Sequence, residues 1–275
     1  ITAIIGRLSV VALCSVLVTY WLFKSLRNLP GINTMNLTLA LLIGETMFIE
    51  GESSAIPWVC SLVAISVHYF FLASFFWMNV MSYDVYKTFA NKCILTRIRG
   101  TKKFLPRYAM YAWGSPAIIV ALCVFIEYGN VNDTNETYGV NHYSGCWITR
   151  PVAALITFGL PIMVIFVINT VFFIRTIICI QATAKLAHHT TRRTFSHMTG
   201  KSDVMLYVRM STVMGFTWIF GLASSIISSI FTKPDQTVCM ALRILSILFT
   251  VFNCGQGLFI FFAFIFKRRV FYLYK

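Results

Sequence analysis

The chain has 275 residues, of which 58% are hydrophobic and only 12% are charged. A soluble domain of this size carries about 25% charged residues, so a water-facing surface over the entire chain is excluded and the bilayer must be its solvent. The net charge of +14 would suit nucleic acid, but the basic residues are split over four short segments with no common soluble fold, which disfavours that partner.

The chain opens on Ile1 rather than Met, and a preceding segment is expected. The first apolar run covers 3–23, and its main charges, Lys24 and Arg27, come after it. No small-residue cleavage site is clear, so this run reads as a membrane span with its N-terminus outside and not as a signal peptide. Further runs long enough to cross the hydrocarbon core follow at 36–56, 58–83, 108–127, 151–177, 206–230 and 238–266. The expectation is an all-α membrane protein, a seven-transmembrane helix bundle in a single domain. Basic and aromatic residues alternate over 267–275, which predicts the start of a short amphipathic eighth helix on anionic lipid.

Charge orients the bundle. Lys24 and Arg27 follow the first span, and Lys87, Lys92, Arg97, Arg99, Lys102, Lys103 and Arg107 follow the third. Arg175, Lys185, Arg192, Arg193, Lys201 and Arg209 surround the connection after the fifth, and Lys267, Arg268, Arg269 and Lys275 follow the seventh. The opposite side holds Arg7, Arg150, Lys233 and Arg243. The positive-inside rule places the odd-numbered connections in the cytoplasm. Two sequons, at Asn132 and Asn135, then fall in an outer loop where glycans can be added. Asn36-Leu-Thr also matches, but it sits at the cytoplasmic membrane edge.

Three of the cysteines, Cys60, Cys146 and Cys239, lie near the oxidising face. Cys60 tops the third span and Cys146 lies in the second outer loop, so a Cys60–Cys146 disulfide is expected, with Cys239 unpaired; two free thiols are the alternative. No metal-ligand spacing is present and no cofactor is expected.

A charged side chain in the membrane must face protein or water. Glu45 and His68 reach similar depth on successive spans, which makes a hydrogen-bonded pair one reading and a plain packing contact with a protonated acid the other. Asn79, Asn169, Asn253 and Gln256 can bridge helices. Pro116 and Pro161 each remove a backbone bond and should bend their spans. In "GFTWIFGLAS", Trp218 falls near mid-membrane between Gly215 and Gly221. An indole beside flexible glycines, at the depth of Asn253 and Gln256, can switch between packings; a plain core aromatic is the equal alternative.

The seventh span lacks the lysine a retinal protein needs, and too few ionisable groups line the bundle for a pump or channel. No nucleophile–base set with hydrolase spacing stands out, so the chain is not expected to be an enzyme. A small outer face under a pinned lid and a broad basic inner face have the layout of a signal receptor.

The motifs carry a resemblance. "HYFFLASFFWMNVMSYDVY" from His68, "WGSPAIIV" from Trp113, "SGCWI" from Ser144, "GLPIMVIFVIN" ending at Asn169, "GFTWIFG" and "NCGQGLFIFFAFIF" from Asn253 resemble, in order, the third span through the seventh of the adhesion and secretin-like (class B) G-protein-coupled receptors. Met81 stands where that family often has Glu, and Thr34 where it has His, which leaves the usual inner polar lock without two of its residues. "MSYDVYKTF" is similar to the Methuselah-like branch. The resemblance implies a plasma-membrane receptor with an extracellular region before Ile1 and a tethered peptide or other extracellular ligand entering under the lid. That ligand would contact Phe75, Phe76, Trp147, Ile148 and Trp218. The sixth span would bend near Gly215 or Gly221, and a heterotrimeric G protein would dock at Tyr83, Lys87, Arg209 and Lys267. The rival readings are a membrane anchor for an adhesive ectodomain without G-protein coupling, and a transporter or channel.

Overall fold

The computed structural model describes residues 2–51, 56–93, 104–129, 137–141, 145–189 and 236–265, with the single positions Phe220, Ala223, Ile226, Ile227, Val270 and Leu273. Helices α1 (Thr2–Leu22), α2 (Leu29–Gly51), α3 (Pro57–Cys93) and α4 (Leu105–Gly129) come first. A hairpin of β1 (Tyr138–Asn141) and β2 (Gly145–Ile148) follows. The fifth span opens with α5 (Pro151–Ala154), widens into a π turn over Leu155–Gly159 and continues as α6 (Leu160–His189). The seventh is α7 (Gln236–Cys254) and α8 (Gln256–Ile265), parted by a turn at Gly255. Six stretches are long and apolar enough to cross a membrane: Ile4–Leu22, Leu29–Gly51, Pro57–Ala90, Leu105–Glu127, Pro151–Gln181 and Gln236–Ile265. The expected span at 206–230 lies outside the described residues, apart from Phe220, Ala223, Ile226 and Ile227, which are helical. Of the expected eighth helix, only Val270 and Leu273 are described.

Helix ends overrun the apolar segments because a helix needs only its own backbone bonds, not lipid, to continue. The start of α2 precedes the apolar run because Asn28 caps it: its side-chain oxygen accepts the Gly31 N–H at 2.9 Å. The far end of α1 is closed by Arg27, whose guanidinium donates to the carbonyls of Tyr20, at 3.0 Å, and Trp21. A cation on the last carbonyls also suits the helix dipole. Pro57 opens α3, where its missing N–H costs nothing.

The central helix is α3, which packs against α2, α4, α6 and both strands. Val67, Leu72 and Trp77 on it are fully buried. The bundle is closed by α1, which packs on α2, α7 and α8. One contact there requires glycine. A Cβ at Gly257 would sit 2.3 Å from Ser9 Oγ and 2.7 Å from the Ser9 carbonyl oxygen. Its N–H instead donates to Ser9 Oγ at 2.9 Å. Lipid-facing positions such as Met110, Ile118 and Phe125 stay exposed, as a bilayer solvent demands.

Candidate functional site

At the outer end, β1 and β2 pair antiparallel with Tyr138 opposite Ile148 and Val140 opposite Cys146. Cys60 and Cys146 are joined by a disulfide with a Cα–Cα distance of 5.1 Å, while Cys239 is exposed and unpaired. A second tether comes from Glu127 at the end of α4, whose Oε1 accepts the N–H groups of Thr137 at 2.8 Å and Tyr138 at 3.2 Å. Ser61 Oγ donates to the Tyr138 carbonyl at 3.0 Å. Burial pushes the Tyr138 hydroxyl well above the ordinary tyrosine range, and the neighbouring Cys123 and Glu127 push it the same way. It therefore remains an O–H donor.

Under this lid lies an aromatic cluster. Trp147 meets Phe158 of the π turn edge-on with centroids 5.3 Å apart, and Phe71 at 6.5 Å. Phe75 packs on the same Phe158 at 6.4 Å. Ile148 is buried beside them in the core. Phe76 does not belong to this set. It packs at 5.2 Å against Tyr111 of α4, because successive helical residues point about 100° apart. Trp218 lies outside the described residues, as do Gly215, Gly221, Arg209, Lys267 and the sequon residues Asn132 and Asn135. Sequence reasoning missed Phe71, Phe158 and Tyr138. Phe71 could have been found, since it is four residues before Phe75 and shares its helix face.

Glu45 and His68 are both buried, but they do not pair. His68 faces outward and sideways: its Nδ1 lies 2.9 Å from the Tyr138 hydroxyl and its Nε2 lies 3.4 Å from the Thr157 carbonyl. Glu45 instead lies beside Ser9 of α1 and Gly257 of α8, with neither carboxyl oxygen in hydrogen-bonding geometry. Equal depth brought the two level, but their rotational positions on α2 and α3 point them to different neighbours.

In mid-bundle the amides behave as helix bridges. Asn79 Nδ2 donates to Asn169 Oδ1 at 2.9 Å, and the Tyr111 hydroxyl donates to Asn79 Oδ1 at 3.0 Å. This ties α3, α4 and α6. Trp113 Nε1 donates to Asn36 Oδ1 at 3.2 Å, so the third sequon is occupied inside the bundle. Gln256 Nε2 donates to Asn253 Oδ1 at 2.7 Å, and Asn253 Nδ2 to the Phe249 carbonyl at 3.0 Å. Those two brace the seventh span across its turn. Thr34 bonds within its own helix, to the Pro30 carbonyl at 3.0 Å, and Met81 is buried among apolar residues.

At the inner end, Tyr83 and Tyr86 of α3 meet Phe172 of α6 at 5.6 and 5.4 Å, the second pair stacked. Lys87 Nζ lies 3.4 Å above the Phe104 ring and 5.7 Å from the Tyr83 ring. The expected Tyr83 and Lys87 thus share one surface. Among the described residues no group of three or more His, Cys, Asp or Glu could hold a metal ion.

Comparison with known proteins agrees with this architecture. The chain is 29% identical over 97% of its length to a probable G-protein coupled receptor, Mth-like 6, of Drosophila melanogaster, of which it covers 53%. It is 28% identical over 96% of its length to the adhesion G protein-coupled receptor L4 of Danio rerio, covering 32% of that protein. It is 29% identical over 95% of its length to the adhesion G-protein coupled receptor G6 of the same fish, covering 21%. The chain therefore spans about half or less of the curated relatives it matches. A family profile described as "7 transmembrane receptor (Secretin family)" matches residues 1–260. Relatives of this kind are receptors and not enzymes, and the chain is a multi-pass protein of the plasma membrane. With a family match over nearly its whole length and this bundle beneath it, the chain belongs to the secretin family of seven-transmembrane receptors.

Proposed function

We propose that the chain is the signalling domain of a G-protein-coupled receptor that passes an extracellular or tethered-peptide signal to a heterotrimeric G protein. The observation that carries this reading is the outer hairpin, held by the Cys60–Cys146 disulfide and by Glu127 over the apolar cluster of Phe71, Phe75, Trp147 and Phe158. An apolar peptide is the ligand such a surface suits. Burying a few Phe or Leu side chains at about 1.5–3 kcal/mol each supplies the roughly 5.5 kcal/mol of differential binding that moves a 1:99 equilibrium to 99:1. Trp218 changes rotamer, the sixth span bends near Gly215 or Gly221, and its inner end moves outward beside Tyr83, Lys87, Arg209 and Lys267, where a G-protein helix enters. The relatives named as G-protein coupled support the coupling.

The test is nucleotide exchange on purified heterotrimeric G protein by the chain in lipid nanodiscs, with and without the peptide that precedes Ile1 in the full-length protein. Peptide-stimulated exchange that is lost in Trp218→Ala at equal protein level is the expected result. No exchange from any G-protein class under either condition favours the membrane-anchor reading.

A further inference from the structure

We propose that the π turn Leu155–Gly159 is a register switch in the fifth span, set from the outer lid through His68 and read at the inner end by Asn169 and Phe172. The cause of the turn is local. In an α-helix the Thr157 carbonyl would pair with the N–H of residue 161, but that residue is Pro161. Proline has no N–H, and its ring clashes with the carbonyl four residues back. The chain answers by widening: the Leu160 N–H reaches back to the Leu155 carbonyl, a five-residue step. Turns of this kind insert one extra residue and collect at functional positions.

The Thr157 carbonyl then needs a donor, and His68 Nε2–H supplies one at 3.4 Å. A carbonyl can only accept, so Nε2 carries the proton. In the neutral ring, Nδ1 is then the acceptor for the Tyr138 O–H at 2.9 Å. One imidazole thus links the lid strand to the turn. Trp147 against Phe158, at 5.3 Å, is a second contact between lid and turn.

The consequence is geometric. Resorbing the extra residue into an α-helix rotates the following helix by about 100° and shortens it by about 1.5 Å. Asn169 and Phe172 are three apart and share one face of α6. That face holds the Asn79 amide at 2.9 Å and stacks on Tyr86 at 5.4 Å. A rotation of that size takes both side chains off their partners. Displacing the lid therefore changes the inner surface through the fifth span, a route separate from the sixth-span movement proposed above and independent of whether a G protein couples.

The test uses the full chain in nanodiscs, wild type against Tyr138→Phe, His68→Leu and the double variant. Two quantities are read: amide hydrogen exchange over residues 155–160, and the side-chain amide resonances of 15N-labelled asparagine. We expect each single variant to speed exchange in the turn by roughly five- to tenfold, the effect of one buried hydrogen bond. Each should also shift the resonances of Asn79 and Asn169, and the double variant should go no further than His68→Leu. Faster exchange confined to the hairpin 137–149, unmoved asparagine resonances, or additive effects would each overturn the proposal. If His68→Leu does not fold, Tyr138→Phe alone decides, because it removes one hydroxyl and keeps the ring.

Discussion

Tyr138 is bonded to a different element at each of its polar groups: its N–H to Glu127, its carbonyl to Ser61 and its hydroxyl to His68. Its ring is nearly fully buried. Tyr138→Ala should therefore lower the stability of the chain by about 3–5 kcal/mol, the cost of emptying a buried aromatic site, seen as a drop in the thermal midpoint in detergent with the disulfide intact. A drop no larger than that of a surface substitution would mean the hairpin is not docked. Glu45 is the converse case, buried with no hydrogen bond at its carboxyl. Glu45→Met keeps the volume and removes an unsatisfied polar group, so it should leave the midpoint unchanged or raise it; a fall equivalent to more than about 1 kcal/mol would show that the acid has a structural partner. These two residues mark what single positions disclose in a sequence. Cys60–Cys146 could be read because only three cysteines lie near the oxidising face. The Asn79–Asn169 bridge could be read because amides in lipid must find each other. Tyr138 could not, since it belongs to a loop strand with no membrane pattern. The Glu45–His68 pair failed because counting residues gives depth but not rotation.

Helices are placed by their apolar runs, and their ends are not. Asn28 and Arg27 decide where α1 stops and α2 starts, and neither belongs to a hydrophobic segment. The π turn was half readable: Pro161 announced a distortion, but a bend and a widened turn satisfy the same missing bond, and only the donor from His68 selects the second. The seventh span carries a sharper demand. Gly257 lets α8 approach α1 so closely that a methyl group would meet the Ser9 backbone at 2.7 Å. Backbone cannot yield as a flexible side chain does, so Gly257→Ala should destabilise by about 1–3 kcal/mol. Scanning calorimetry or a thiol-reactive melt would measure it, with Gly114→Ala, which meets nothing within 4 Å, as the matched control that should be silent. Equal behaviour of the two would contradict the close α1–α8 contact.

Taken together, the helices form a column with two unlike ends. One end is a small hairpin cross-linked to α3 over aromatic side chains. The other is a tyrosine-rich surface where Lys87 lies over Phe104. Between them run an amide bridge and a helix with a widened turn. A signal protein needs this polarity: a place to capture, a place to report and a bistable path between. The account requires the reporting end to lie in the cytosol, as the lysine and arginine bias dictates. Protease cleavage of an epitope inserted between Arg99 and Lys103 in intact and permeabilised cells would decide it. The account predicts protection in intact cells and cleavage only after permeabilisation; cleavage in intact cells would contradict it.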